Sequence, residues 1–360
     1  RDQMLRLKIN GEAIEVTEGA TVLDACRAHG ISVPTMCHLA GHVHFTSCMV
    51  CVVKDVILAR LIPACSAPVT DGMEIDTDTE EVHEARRVAV ELLLSEHVGD
   101  CEGPCQRVCP AQINIPAVIR KLASGDREGA ADLYHSSKTE PGIPCRDCNA
   151  RCEKPCRRRQ IDDAVSIREL MLYAAKGAGE DSPGVAHARR FNSVIGRLSD
   201  EEKSVFLAQA SDTERAEPSD KAVGFYAEAA TKEATRCLHC DCRKPEGCRL
   251  RRYAELYSAK QSRYKAGERK PVEIVRQHAG VVYEPGKCIK CGICVKLTEH
   301  SREPLGLAFL DRGYDVVVGV PFDEPLDRGL TETTEACVRD CPTGALSFCD
   351  DVALAKDDEA

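Results

Sequence analysis

Apolar and polar positions alternate over residues 4–17, with Leu5, Leu7 and Ile9 on one arm and Ile14 and Val16 on the other, around Asn10-Gly11. A period of two about an Asn-Gly dipeptide predicts a β-hairpin. The pattern then changes. Thr21, the apolar face of Val22, Leu23 and Ala25, and Gly30 predict a short helix with a Thr start and a Gly stop. Cys26 lies on that face and reads as a packed thiol. The apolar run over residues 50–57 predicts a strand, and Thr77-x-x-Glu80 predicts a capping box opening a helix that carries Leu92-Leu93-Leu94. Ile113-Asn114-Ile115-Pro116 opens a short helix ending at Gly125, and Ser166-x-x-Glu169 and Ser199-x-x-Glu202 predict two more capping boxes. Residues 316–320 read as a further strand.

Composition narrows the class. A chain of 360 residues has room for two or three domains, and 43% hydrophobic with 29% charged residues reads as globular. No run approaches about 18 consecutive apolar residues, so no membrane span is expected. The N-terminus shows neither a twin-arginine stretch nor an apolar h-region, which makes a cytoplasmic location the expectation. A net charge of −10 argues against nucleic acid as a partner. The abnormal count is 22 cysteines beside no Trp and 4% aromatics, which suggests small cores supplemented by cofactors. The cysteines fall in tight clusters spaced by two or three residues, a pattern that suits metal ligation better than disulfides.

Cys37, Cys48, Cys51 and Cys65 follow a C-x10-C-x2-C-x13-C spacing. A plant-type [2Fe–2S] cluster takes most of its thiolates from one loop and the last from a distant segment. The long first gap is atypical of zinc ribbons. Four thiolates complete the site, so His38, His42 and His44 in the same loop are read as solvated or hydrogen-bonded. At the other end, Cys288, Cys291 and Cys294 form a C-x2-C-x2-C run that pairs with Cys341-Pro342 for one [4Fe–4S] cluster. Thr298 stands where a further cysteine of that run would fall, and Cys337 and Cys349 are left as vestigial ligands or packed thiols. Cys237, Cys240, Cys242 and Cys248 lie within twelve residues and can complete a tetrahedral site, either [4Fe–4S] or structural zinc. Nearby Arg249, Arg251 and Arg252, like Arg157, Arg158 and Arg159, would offset thiolate charge or form a solvated basic face. His239 has no obligatory role there. Gly177, Gly179 and Gly184 lack the dinucleotide fingerprint, and the stretch from Gly280 to Lys287 fails as a P-loop because it is one residue too long and ends on Cys288.

Residues 1–98, with Pro34-Thr35-Met36-Cys37, the Cys48/Cys51 pair and Leu92-Leu93-Leu94-Ser95-Glu96-His97, resemble the N-terminus of the large iron–sulfur subunit of NADH dehydrogenase and the corresponding subunit of NAD-reducing hydrogenases. In that family a His-x3-Cys after the helix begins a His-ligated [4Fe–4S] site, and this chain has His97-x3-Cys101. The region around the Cys288 run, with Arg312-Gly313, is similar to the same family. Between them, Cys101-x3-Cys105-x3-Cys109-Pro110 and Cys145-x2-Cys148-x3-Cys152-x3-Cys156 resemble the twin-[4Fe–4S] domain of the glutamate synthase small subunit and dihydropyrimidine dehydrogenase. That resemblance implies one cluster on Cys101, Cys105 and Cys156, and the count of eight ligands adds His97 as its fourth. It implies another on Cys109, Cys148 and Cys152, to which the count adds Cys145; in dihydropyrimidine dehydrogenase one ligand is a non-Cys side chain on the following helix, where Glu169 and Met171 stand here.

The expected architecture is α+β. An N-terminal β-grasp [2Fe–2S] ferredoxin domain spans 1–78, and a helical twin-[4Fe–4S] domain spans 79–176. A helical linker, 177–236, stands in place of a flavin domain. A four-cysteine segment over 237–270 and a C-terminal ferredoxin-like [4Fe–4S] domain over 271–360 complete the chain. One [2Fe–2S] and four [4Fe–4S] clusters make an electron conduit with no substrate site. The expected partners are a flavoprotein NAD(P)H dehydrogenase-type subunit and a catalytic oxidoreductase subunit such as a hydrogenase, formate dehydrogenase or other molybdenum or tungsten enzyme, with ferredoxin as another candidate. The alternatives are a stand-alone reductase with a loosely bound flavin and a zinc-stabilised scaffold.

Overall fold

The computed structural model describes residues 3–42, 45–137, 144–177, 191–244, 246–264, 267 and 269–349. His44, Gly179 and Gly184 lie outside them. The chain divides into two compact units, one of residues 1–97, 246–270 and 275–347, the other of residues 98–245, 271–274 and 348–360.

The first unit begins with the expected hairpin, β1 (Met4–Ile9) and β2 (Glu12–Thr17), paired from Met4↔Thr17 to Ile9↔Glu12. Asn10 and Gly11 both take positive φ, as this turn requires. The mixed sheet has the order β2-β1-β5-β3-β4, with β3 Val52–Asp55, β4 Arg60–Pro63 and β5 Glu74–Asp76. Strands β1 and β5 run parallel, and the β3 pairings are antiparallel. Helix α1 (Val22–Ala28) opens with Thr21 and Asp24 in a reciprocal capping box, a device worth about 1 kcal/mol. Cys26 is fully buried in the core beneath the sheet with Leu7, Ile9, Val22 and Leu23.

Helix α2 (Glu80–Ser95) is capped by Thr79, whose hydroxyl accepts from the Val82 N–H at 3.2 Å, rather than by Thr77. Thr77 is instead drawn to Asn10, whose side-chain oxygen accepts from the Thr77 N–H at 2.8 Å. Arg86 on α2 is buried and donates twice to the Val52 carbonyl, at 3.1 and 2.9 Å, tying helix to sheet. The same unit contains helix Arg249–Leu256, strand Val281–Tyr283, helix Ile293–His300, a small hairpin of Ala308–Leu310 with Val317–Gly319, and helix Thr334–Asp340. Tyr253 anchors the first of these to the N-terminal region by accepting from the Thr35 N–H at 3.2 Å.

Among the described residues, the second unit is helical. Helices α3 (Ile115–Ala123), α4 (Arg127–Ser137), α5 (Ile167–Ala175), α6 (Asp200–Leu207) and α7 (Ala227–Ala234) are its main elements. Helices α3, α4, α5 and α7 enclose a core that includes Ile113, Ile119, Leu122, Leu170 and Met171. Pro116 opens α3 where the missing N–H costs nothing. The Ser199–Glu202 capping box of α6 forms as expected. The one at α5 does not. The Ser166 hydroxyl donates to the Ala216 carbonyl at 2.6 Å, while its N–H is taken by Glu233 at 2.8 Å. Tertiary partners displace the local cap.

Among the described residues, no helix is long and apolar enough to cross a membrane.

Candidate metal centres

Among the described residues, no three His, Cys, Asp or Glu side chains close on one point in the way a single ion requires. The cysteines instead line voids and loops in groups.

In the first unit Cys37, Cys48, Cys51 and Cys65 are all buried, Cys51 and Cys65 within the core of the mixed sheet. The Cys37 thiol shares hydrogen bonds with Cys48 and Cys65, and Cys51 shares one with Cys65. Those contacts push Cys37 and Cys51 down and Cys48 and Cys65 up. Met49, between the paired cysteines, takes a positive φ of 53°. Such backbone is sparsely populated by side chains other than Gly, Asn and Asp and gathers at functional loops.

Further along the same unit, Cys288, Cys291, Cys294 and Cys341 line one void beneath Tyr283. Lys290 and Gly292 carry positive φ between these cysteines, and the Lys290 N–H donates to Cys288 Sγ at 3.3 Å. Thr298 is buried and holds the turn beyond the helix, with its hydroxyl donating to Val295 and accepting from the Leu307 N–H. Cys337 is fully buried, and its thiol points to the Cys294 carbonyl at 3.9 Å. These two groups of thiols are neighbours. Phe45 from the N-terminal loop stacks edge-on against Phe309 at 5.4 Å, and its ring lies so close to Gly292 that a Cβ there would overlap it. Cys37 also adds to the electrostatic load on Cys291, whose thiol is raised chiefly by burial.

His97, at the end of α2, is buried, and burial, followed by the nearby Lys287, pushes its pKa down to about 4. The ring hydrogen-bonds the Lys287 backbone, while Nδ1 is buried without a partner. A neutral imidazole with one nitrogen oriented and the other open has the donor chemistry of a metal ligand.

In the second unit Cys109, Cys145, Cys148 and Cys152 line one void. Tyr134 on α4 hydrogen-bonds Cys145, and Ala150 takes left-handed backbone between Cys148 and Cys152. This set coincides with the second of the two groups implied by resemblance.

A second void in this unit is lined by Cys105, Cys156, Cys237 and Cys240, with Arg157 and Arg158 beside them. Here the structure groups cysteines otherwise than the resemblance and the spacing implied. Cys105 and Cys156 are joined by Cys237 and Cys240, not by Cys101 and His97. Cys101 sits against Ser193, whose hydroxyl lies 3.3 Å from its Sγ, and the Cys101 carbonyl accepts from the Cys242 N–H at 3.3 Å. Cys248 and His97 belong to the first unit. Arg157 and Arg158 are buried rather than part of a solvated basic face. Arg157 forms an ion pair with buried Asp100.

Residues 2–80 match the family model of a 2Fe-2S iron-sulfur cluster binding domain, and residues 76–182 match that of dihydropyrimidine dehydrogenase domain II, 4Fe-4S cluster. The chain is therefore an iron–sulfur protein, with a [2Fe–2S]-type domain followed by a [4Fe–4S]-type domain. It is 42% identical over 173 residues to the NADP-reducing hydrogenase subunit HndD of Solidesulfovibrio fructosivorans, covering 45% of this chain and 29% of that protein. It is 37% identical over 98 residues to an NADH-quinone oxidoreductase subunit of Rhizobium meliloti, covering 27% of this chain and 12% of that one. The chain thus spans less than a third of either relative. A crystal structure of NAD+-reducing [NiFe]-hydrogenase in the H2-reduced state shares the fold, with a TM-score of 0.51 at 16% identity, over 96% of this chain and 87% of that one.

Proposed function

We propose that the chain is an iron–sulfur electron-transfer subunit of a cytoplasmic multi-subunit oxidoreductase. It would relay electrons between a flavin NAD(P)H-oxidising subunit and a separate catalytic subunit, a hydrogenase, formate dehydrogenase or other molybdenum or tungsten enzyme. The observation that carries this reading is the contact between two cysteine groups of different kinds. The Cys37 loop lies directly on the Cys288 run through Phe45, Phe309 and Gly292. A [2Fe–2S] cluster held by Cys37, Cys48, Cys51 and Cys65 would then adjoin a [4Fe–4S] cluster held by Cys288, Cys291, Cys294 and Cys341, as a relay demands. Bound there, the clusters supply one-electron redox chemistry. The protein sets their potentials through burial, charge and hydrogen bonds to sulfur.

The names of the relatives support the partners, since both belong to NADP- or NADH-linked enzymes. Anaerobically purified protein should contain iron and acid-labile sulfide, and dithionite should develop [2Fe–2S] and [4Fe–4S] EPR signals together. NADH should reduce them only when a flavoprotein subunit is added. Zinc in place of iron, or clusters that stay oxidised with every NAD(P)H- or ferredoxin-linked donor, would remove this function.

A further inference from the structure

We infer that Cys105, Cys156, Cys237 and Cys240 together hold one [4Fe–4S] cluster, assembled from three separate stretches of the chain. The inference rests on the iron–sulfur reading above and adds a ligand set that sequence spacing does not give. By spacing, Cys237 and Cys240 belong with Cys242 and Cys248.

Each of the four thiols is aimed at the same void by its own local device. Cys105 rides on the single helical turn Pro104–Arg107, which Gly103 lets lie close to α3, since a Cβ on Gly103 would stand 3.1 Å from Pro116 and 3.4 Å from Cys105 Sγ. Cys156 is the residue before the 3-10 turn Arg157–Gln160. Cys237 closes α7 through its N–H to the Ala234 carbonyl at 3.1 Å. The left-handed backbone of His239, φ 46°, then turns the chain so that Cys240 faces back. Around this centre the chain is fastened at both ends. Upstream, buried Arg236 donates to Asp162, Glu233 and the Asp163 carbonyl at 3.0–3.1 Å and to the Thr213 carbonyl at 2.7 Å. Downstream, buried Asp241 forms an ion pair with Arg120 of α3.

The chemistry of the lining fits the group. Four thiolates around a [4Fe–4S] core carry net negative charge in a dry site, which is costly without compensation. Arg157 and Arg158, both buried, stand on the wall of this void. The apolar remainder, Ile119, Val165, Ile167 and Leu238, excludes water from it.

The test compares Cys105→Ala, Cys237→Ala and their double variant in the full chain, by iron content and by EPR and Mössbauer spectra of the reduced protein. Both single variants should alter the same [4Fe–4S] signal. The double variant should lose no more than either alone, and Cys101→Ala should leave that signal in place. Two different signals altered by the two single variants, with additive losses in the double, would overturn the ligand set. Should the alanine variants fail to accumulate, Cys105→Ser and Cys237→Ser read the same comparison through shifted g-values. Wild-type protein without iron would instead sink the electron-transfer reading itself, a result distinct from iron-bearing protein whose variants change separate centres.

Discussion

The guanidinium of Arg236 lies 3.1 Å from the carboxylate of Asp162, with Arg236 wholly buried. Asp162 also takes Arg158 at 2.7 and 2.5 Å, and Arg158 in turn donates to the Arg236 carbonyl at 3.3 Å. Burial works to raise Asp162, but the two arginines outweigh it and hold its carboxyl below the usual range. The result is a clasp between the segment that follows Cys156 and the residue that precedes Cys237.

Opening that clasp should release the centre. Arg236→Ala leaves Glu233 buried and removes the guanidinium bonds to Asp162, Asp163 and Thr213; breaking a buried pair in this way typically costs about 3–5 kcal/mol. The denaturation midpoint should fall accordingly, and the [4Fe–4S] signal assigned to Cys105, Cys156, Cys237 and Cys240 should go with it. Unchanged iron content in a folded Arg236→Ala protein would show that the clasp does not hold the ligands.

Gly103 offers a gentler probe of the same place. A methyl group there meets Pro116 at 3.1 Å, closer than ordinary contact, and overpacking of this kind costs about 1–3 kcal/mol. Gly103→Ala should loosen the Cys105 turn and speed cluster loss under air, followed as bleaching of the visible absorbance. Bleaching at the wild-type rate would mean that the turn yields without disturbing Cys105.

Tyr134 should tune the centre it faces. Its hydroxyl hydrogen-bonds Cys145, and a donor to a ligating sulfur favours the more negative, reduced cluster. Tyr134→Phe should therefore lower that midpoint potential, on the order of tens of millivolts, in a redox titration followed by EPR. A potential that stays put or rises would separate the hydroxyl from the cluster.

Cys26 is expected to be silent in redox terms and visible in pH. Burial pushes its thiol up to about 11 from an ordinary value of 9. Below pH 9 the thiol is neutral in both folded and unfolded chains. Between pH 9 and 11 only the unfolded chain ionises, so stability falls with rising pH, by about 2–3 kcal/mol for a two-unit difference. Cys26→Ala should be about 1 kcal/mol less stable at pH 7, keep its [2Fe–2S] spectrum, and lose this part of the alkaline decline. A bleached [2Fe–2S] centre would make Cys26 a ligand after all.

Much of this was legible in the sequence because the determinants are local. Asn10-Gly11 forces the hairpin turn, Thr21 and Asp24 cap α1 through atoms three residues apart, and the spacing of Cys288, Cys291 and Cys294 turns three thiols inward from one loop. What escaped is long-range. Thr77 looks like a cap until Asn10, far away in sequence, claims it, and Ser166 looks like one until Ala216 and Glu233 do. Cys237 and Cys240 read as half of a self-contained site, because nothing in their spacing records that Arg236 and Asp241 fasten them to Asp162 and Arg120. The buried arginines were the available signal. Arg236, immediately before Cys237, has no place on a solvated face when Asp162 awaits it.

The separation of the ligands along the chain also sets an order of events during biosynthesis. On the proposed ligand set, Cys105 and Cys156 leave the ribosome long before Cys237 and Cys240, so this centre cannot close until residue 240 has emerged. The cysteines at 37, 48, 51 and 65 are complete much earlier. Loading of the [2Fe–2S] site can begin on a nascent chain, whereas the three-segment centre is filled only on a finished helical unit, and iron starvation should yield protein that carries the first and lacks the second.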